Sequence, residues 1–217
     1  LQTGDLFAEI VGNGGLQSLL SALFMAATVG IVYFGIHGGI ERVARIFLPV
    51  LFAILLLLLV SALSMDGAGA ALTFIFRPNF SELEPGSVLE ALGHSFFTLS
   101  LGMGAMITYG SYVARGRSIV SAAGTIVLLD TLIALFATII MFSVIFSVPG
   151  MDEQVNKSAA GMLFISLPQL FYEVVPFGAI LGPLFYVLVA LAALTSTISL
   201  LEVVVSYFID EHKMARP

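Results

Sequence analysis

Three places in this chain put oxygen-bearing side chains or chain-breaking glycines inside otherwise apolar stretches. The first is Phe96-Phe97-Thr98-Leu99-Ser100-Leu101-Gly102-Met103-Gly104-Ala105-Met106, with two glycines and two hydroxyls at the centre of an apolar run. A glycine in a helix interior costs about 1 kcal/mol relative to alanine, and an unwound turn at membrane depth is tolerated only where it lines a cavity. Unwinding frees carbonyl oxygens for a cation and leaves half-helix ends whose dipoles can face an ion or a zwitterion. The same glycines would also serve close helix packing, since small residues are common in membrane interfaces.

The second place is Asp130, an ionisable group about a third of the way along another apolar stretch. An Asp near the bilayer centre costs roughly 2.5 to 3.5 kcal/mol, so it usually faces a cavity, a partner or a bound ion. The alternative is a protonated carboxyl satisfied by a neighbouring hydroxyl. The third is Ala192-Ala193-Leu194-Thr195-Ser196-Thr197-Ile198-Ser199-Leu200. On a helix, Ala192, Thr195 and Ser196 share one face and offer a carbonyl and two hydroxyls to one point, a neutral oxygen set that suits a weakly held monovalent cation. Taken alone, the stretch fits better with hydroxyls that bond back to the preceding turn's carbonyls. Glu202, a little further along, carries no assigned role.

Enzymatic chemistry finds no support in the sequence. His37, His94 and His212 are scattered without a zinc or iron ligand spacing, and no nucleophile motif or phosphate-binding glycine loop is present. Asp130 and Glu202 lack an evident acid–base partner, so the expected protein is not an enzyme.

The elements that must position these groups follow from composition. The 217 residues are 59% hydrophobic and 10% charged, outside the range of an ordinary soluble domain. No cysteine occurs, which removes disulfides and thiolate sites from consideration. A net charge of -6 without a basic stripe argues against a nucleic-acid partner. With no initiator Met and no signal peptide, the chain reads as a fragment.

A bilayer core needs roughly 20 mostly apolar helical residues, because lipid cannot satisfy the backbone. Five stretches qualify, at about 16–36, 43–63, 88–113 (interrupted near 100–104), 118–148 and 179–209. The expected fold is therefore an all-α polytopic membrane protein lying in the lipid bilayer. Arg42, Arg45, Arg115, Arg117, Lys213 and Arg216 fall in alternate loops, against Arg77 and Lys157 in the others, so the first group of loops is expected to be cytoplasmic. The outer loop 149–178 contains an apolar stretch, Ala159 to Tyr172, ended or kinked near Pro168 and Pro176. It is too short to span, and the preferred reading is a re-entrant or lid-like helix packed on the bundle.

Several landmarks in order resemble the neurotransmitter:sodium symporter family, in particular its bacterial amino-acid transporters of the leucine-transporter kind. They are Gly39-Ile40-Glu41-Arg42, Phe97-Thr98-Leu99-Ser100-Leu101-Gly102, Thr108-Tyr109-Gly110-Ser111-Tyr112 and Leu194-Thr195-Ser196. The resemblance covers nearly the whole chain from about Leu16 and implies that the five spans are the family's fourth to eighth helices. It implies part of an inverted-repeat bundle with a helix broken at mid-membrane. The missing transmembrane helices of the same parent chain would supply the rest of the site.

The resemblance puts Thr98 and Asp130 at a first sodium site, and Ala192, Thr195 and Ser196 at a second. It puts Phe97, Ser100, Met103 and Leu200 at the wall of an amino-acid pocket. Asp130 departs from the family pattern: many relatives have Asn there, and the leucine-transporter type carries a Glu one turn further on, where this chain has Ala134. A carboxylate at 130 would serve as both sodium ligand and compensating charge, so transport is expected to be chloride-independent. His94 falls near the same region, often Gln in relatives, and is left without a role. Met103 replaces an aromatic residue, and its flexible thioether suits an apolar or aromatic amino acid. The implied activity is sodium-coupled symport by alternating access in the cell's inner (plasma) membrane, with sodium ions and a neutral amino acid as cargo. A channel or receptor-like protein using the same polar positions remains the alternative.

Overall fold

A computed structural model describes residues 3–77, 79–113, 116, 118–147, 162–173, 175 and 177–214. Every element among them is helical: α1 (Thr3–Gly12), α2 (Gly14–Tyr33), a wide turn at Ile36–Ile40, α3 (Glu41–Leu63), α4 (Ala68–Phe76), a short 3₁₀ turn at Phe80–Glu82, α5 (Pro85–Thr98), α6 (Ala105–Ser111), α7 (Ile119–Phe146), a second wide turn at Met162–Ser166, α8 (Leu167–Glu173) and α9 (Gly178–His212). Four stretches among the described residues are long and apolar enough to cross a membrane: Gly14–Tyr33, Ile36–Leu63, Ile119–Phe146 and Gly178–His212. Large apolar side chains point outward along them, Val60 being 66% exposed, which suits hydrocarbon and not water. The chain is thus an all-α polytopic membrane protein.

The expected span at 88–113 is divided between α5 and α6, each too short to cross a membrane alone. At 35 residues, α9 is about 52 Å long and exceeds the hydrocarbon thickness. Arg115, Arg117, Lys157 and Arg216 of the charge argument lie outside the described residues, as do 149–161 and Pro176 of the outer loop.

By contacts the chain divides into two compact units. One comprises Leu1–Ala27, Ile46–Arg77 and Phe136–Ala192. Its core joins Leu55, Leu58, Ala62 and Met65 to Ile140 and Val144, to Leu167, Phe171 and Val175, and to Leu181 and Phe185. The spacing of Leu55, Leu58 and Ala62 is that of one helical face, so α3 buries a single stripe. Gly67 ends the turn after α3, where a β-carbon would collide with the backbone at Ser143 and Phe146 of α7 and at Ser147 just after it. Its N–H donates to Ser147 Oγ at 3.1 Å, and Ser147 Oγ donates to the Ser143 carbonyl at 2.6 Å. Phe74 of α4 packs on Phe142 and Phe146, with ring centroids 4.8 and 5.6 Å away. The turn before α8 is fixed by Tyr186, whose hydroxyl donates to the Leu163 carbonyl at 2.6 Å. Phe164, in that turn, stacks on Phe7 of α1 and on Tyr186.

The other unit comprises Thr28–Arg45, Pro78–Leu135 and Ala193–Pro217. After α2, Gly35 takes φ 77°, and the wide turn that follows leads directly into α3. Glu41 at its start accepts from Arg45 at 2.8 Å and pairs with His37 Nδ1 at 2.8 Å, a ladder along one helix face. Pro85 occupies the first turn of α5, where its missing N–H costs nothing. The Glu84 N–H donates to Ser87 Oγ at 3.3 Å, satisfying a donor at that helix start.

Candidate functional site

The second unit holds the interrupted helix. Helix α5 stops at Thr98 and α6 starts at Ala105, and between them Ser100, Gly102 and Gly104 take positive φ of 54°, 80° and 82°. The left-handed region suits glycine and is strained for serine. The last bonds of α5 tighten and widen in turn: Leu99 N–H donates to the Ser95 carbonyl, Ser100 N–H to Phe97 and Leu101 N–H to Phe96, at 3.1, 3.1 and 2.8 Å. Beyond that the regular ladder is interrupted, and it resumes where the Thr108 N–H donates to the Gly104 carbonyl at 2.9 Å. Thr98 is half-buried at the end of α5, and its hydroxyl donates to the Ser95 carbonyl at a long 3.4 Å.

Three contacts hold α6 against α9. Gly104 faces Val203, whose Cγ1 would lie 3.0 Å from a β-carbon at position 104. One turn later the Tyr109 hydroxyl donates to Ser199 Oγ at 3.0 Å, and the Tyr112 hydroxyl donates to Glu202 Oε1 at 2.8 Å. Ser199, Glu202 and Val203 are spaced i, i+3, i+4, so one face of α9 receives all three. Glu202 is 0% exposed. A carboxyl so deeply buried demands polar partners, and Tyr112 is one.

The sequence-predicted residues fall as follows. Phe97, Thr98, Ser100 and Met103 flank the break itself; Phe97 is 72% exposed and Met103 is exposed. Leu200, also exposed, lies one helical turn from Val203 on α9. Ala192, Thr195 and Ser196 lie on the same continuous helix, with Thr195 half-buried and the other two exposed. The Thr195 carbonyl accepts from Ser199 Oγ at 3.0 Å, so it already serves an intrahelical hydroxyl. Asp130 is half-buried in α7, and no hydrogen bond joins it to Thr98 among the described residues. His94 is exposed on α5.

The sequence reading used Tyr109 and Tyr112 only as landmarks and gave Glu202 no role. The structure makes all three the fastening of the broken helix. The signal available was a carboxyl and two phenols in apolar stretches, but each pair is 90 residues apart in sequence, so only the three-dimensional register joins them.

Four described helices of membrane length define a multi-pass membrane protein, in which left-handed residues separate α5 from α6 and α6 is held beside α9. The chain belongs to the sodium:neurotransmitter symporter family, whose model matches residues 4–216. It is 40% identical over 206 residues to a sodium-dependent transporter of Bacillus subtilis, covering 94% of this chain and 44% of that protein. A sodium-dependent transporter of Methanocaldococcus jannaschii is 30% identical over 217 residues, covering 96% of this chain and 44% of its own length. A sodium-dependent neutral amino acid transporter of Rattus norvegicus is 33% identical over 147 residues, covering 66% of this chain and 24% of the relative. The chain therefore spans less than half the length of these relatives.

Proposed function

We propose that this chain forms part of a sodium-coupled symporter that carries a neutral, apolar or aromatic amino acid by alternating access across the cell's inner (plasma) membrane. The observation that carries the reading is the break at 99–104 with its fastening to α9. Backbone groups released from a helix at membrane depth need partners, and a bound ion and a zwitterionic cargo provide them. The naming of relatives as sodium-dependent transporters, one of them for neutral amino acids, supports the same reading.

In this mechanism Thr98 and Asp130 hold one sodium ion, with the carboxylate supplying charge as well as an oxygen. Ala192, through its carbonyl, and Thr195 and Ser196, through their hydroxyls, contribute to a second. Neutral oxygens hold a monovalent cation loosely, which suits release at the far side. Phe97 and Leu200 form apolar walls, Ser100 meets the polar end of the cargo at the unwound turn, and Met103 adapts to its side chain. Further oxygens come from helices of the parent protein beyond this chain. The Met162–Glu173 segment acts as an outer lid over the bundle.

The test is uptake of radiolabelled leucine and tryptophan into proteoliposomes that hold the intact parent protein, with an inward sodium gradient or potassium in its place. Uphill accumulation that requires sodium is expected. Uptake indifferent to sodium would remove both ion sites, and a non-saturating flux would point to a static pore.

A further inference from the structure

Beside the Thr195–Ser196 pair lies a cross-helix contact that the transport reading does not use. Thr28, near the end of α2, is 1% exposed, and its Oγ1 lies 3.1 Å from Thr197 Oγ1 on α9. Thr197 Oγ1 in turn donates to the Leu194 carbonyl at 2.9 Å. The Thr28–Thr197–Leu194 contacts form a relay that joins α2 to α9, in which either threonine can donate to the other.

This relay sets the rotation of α9 at one level. Successive residues on a helix are about 100° apart, so Thr197 lies about 150° around α9 from the centre of the face shared by Ala192, Thr195 and Ser196. Holding Thr197 toward α2 turns that face away from α2. The relay also ties down the Leu194 carbonyl, one residue before Thr195. Buried hydroxyl pairs between membrane helices restrict rotation of the helix that carries them, because each partner left alone would face hydrocarbon.

We propose that Thr28 is a positioning residue for a cation held at Thr195 and Ser196: through the Thr28–Thr197–Leu194 relay it fixes the rotation of α9 that aims those two hydroxyls. The proposal rests on the sodium reading of that face. Thr28 acts in this proposal through Thr197 and not as a ligand of the ion or the cargo.

The test is equilibrium binding of ²²Na⁺ to the purified intact parent protein, alongside its sodium-free thermal midpoint. Thr28→Val keeps the shape and removes the hydroxyl, and is expected to raise the half-saturating sodium concentration about fivefold, the scale of one neutral hydrogen bond. Thr28→Ser restores the parent value. Thr197→Val, which breaks the relay at its other end, gives a similar shift, and the double variant adds nothing further. Thr195→Val, run in parallel, separates the two ideas. If it shifts sodium binding while Thr28→Val and Thr197→Val do not, Thr28 has no positioning role and the cation site stands. If none of the three shifts binding, the cation site on α9 falls and the role of Thr28 falls with it. A lower sodium-free midpoint with unchanged half-saturation would make the Thr28–Thr197 pair ordinary helix packing and overturn the proposal.

Discussion

A membrane interior makes individual polar atoms unusually consequential, and among the described residues Glu202 is the buried carboxyl. Fully buried on α9, it accepts from Tyr112 at 2.8 Å. Tyr112→Phe removes that donor while keeping the ring, and should cost about 1–3 kcal/mol. Thermal unfolding of the intact parent protein in detergent checks this: an unchanged midpoint would show that the bond does not help to hold α6. Glu202→Gln keeps an acceptor of the same length and should lower the midpoint less than Tyr112→Phe does. On the proposed cation face, Thr195→Val replaces a hydroxyl by a methyl of equal size. The sodium dependence of uptake should weaken about three- to tenfold, and unaltered dependence would remove Thr195 from the ion site. The sequence displayed both residues but not their standing. Thr195 and Ser196 were legible as a helical face from spacing alone, whereas Glu202 acquires a partner only through the register of two helices distant in sequence.

The stretch between α5 and α6 is the element where backbone conformation bears most directly on the proposed site. Gly102 and Gly104 hold φ of 80° and 82°, conformations that L-residues with a β-carbon adopt only with strain. Their surroundings differ, and so should their tolerance. A β-carbon at Gly102 meets nothing within 4 Å, so Gly102→Ala should cost about 1–2 kcal/mol through backbone strain alone. At Gly104 the same substitution also presses on Val203 Cγ1 at 3.0 Å, pushing the start of α6 off α9. Gly104→Ala should therefore be the more damaging of the two, in thermal midpoint and in uptake. Equal losses would mean that the contact with α9 is not tight. The glycine pair announced an interruption because helix interiors disfavour glycine. What it did not announce is the 3.1 and 2.8 Å bonding by which α5 closes its last turn, or the positive φ of Ser100. Local strain at a serine has no compositional signature, since only the fold around it holds the residue there.

At the level of the whole molecule, the all-helical membrane character was legible because lipid imposes one requirement on every residue in an apolar stretch. The polar fastening of α6 to α9 was not, because it depends on which helices meet. Charge balance is the remaining whole-molecule property that the chain's own residues address. A symporter that moves cations through an apolar interior must compensate them, and a fixed carboxylate near the ion does so without a co-bound anion. In the proposed mechanism Asp130 on α7 is such a group, whereas Ala134, one turn further on, carries no charge. The proposed transport should accordingly persist when chloride is replaced by gluconate on both sides of the membrane. Asp130→Asn removes the charge and keeps an amide oxygen able to bind sodium. In that variant uptake in gluconate should fall at least about tenfold, the effect of losing 1.4 kcal/mol or more of ion stabilisation, and added chloride should restore part of it. Uptake by the parent protein that collapses in gluconate would assign the compensating charge to an anion. A variant that transports equally well in both media would leave Asp130 outside the ion's environment altogether.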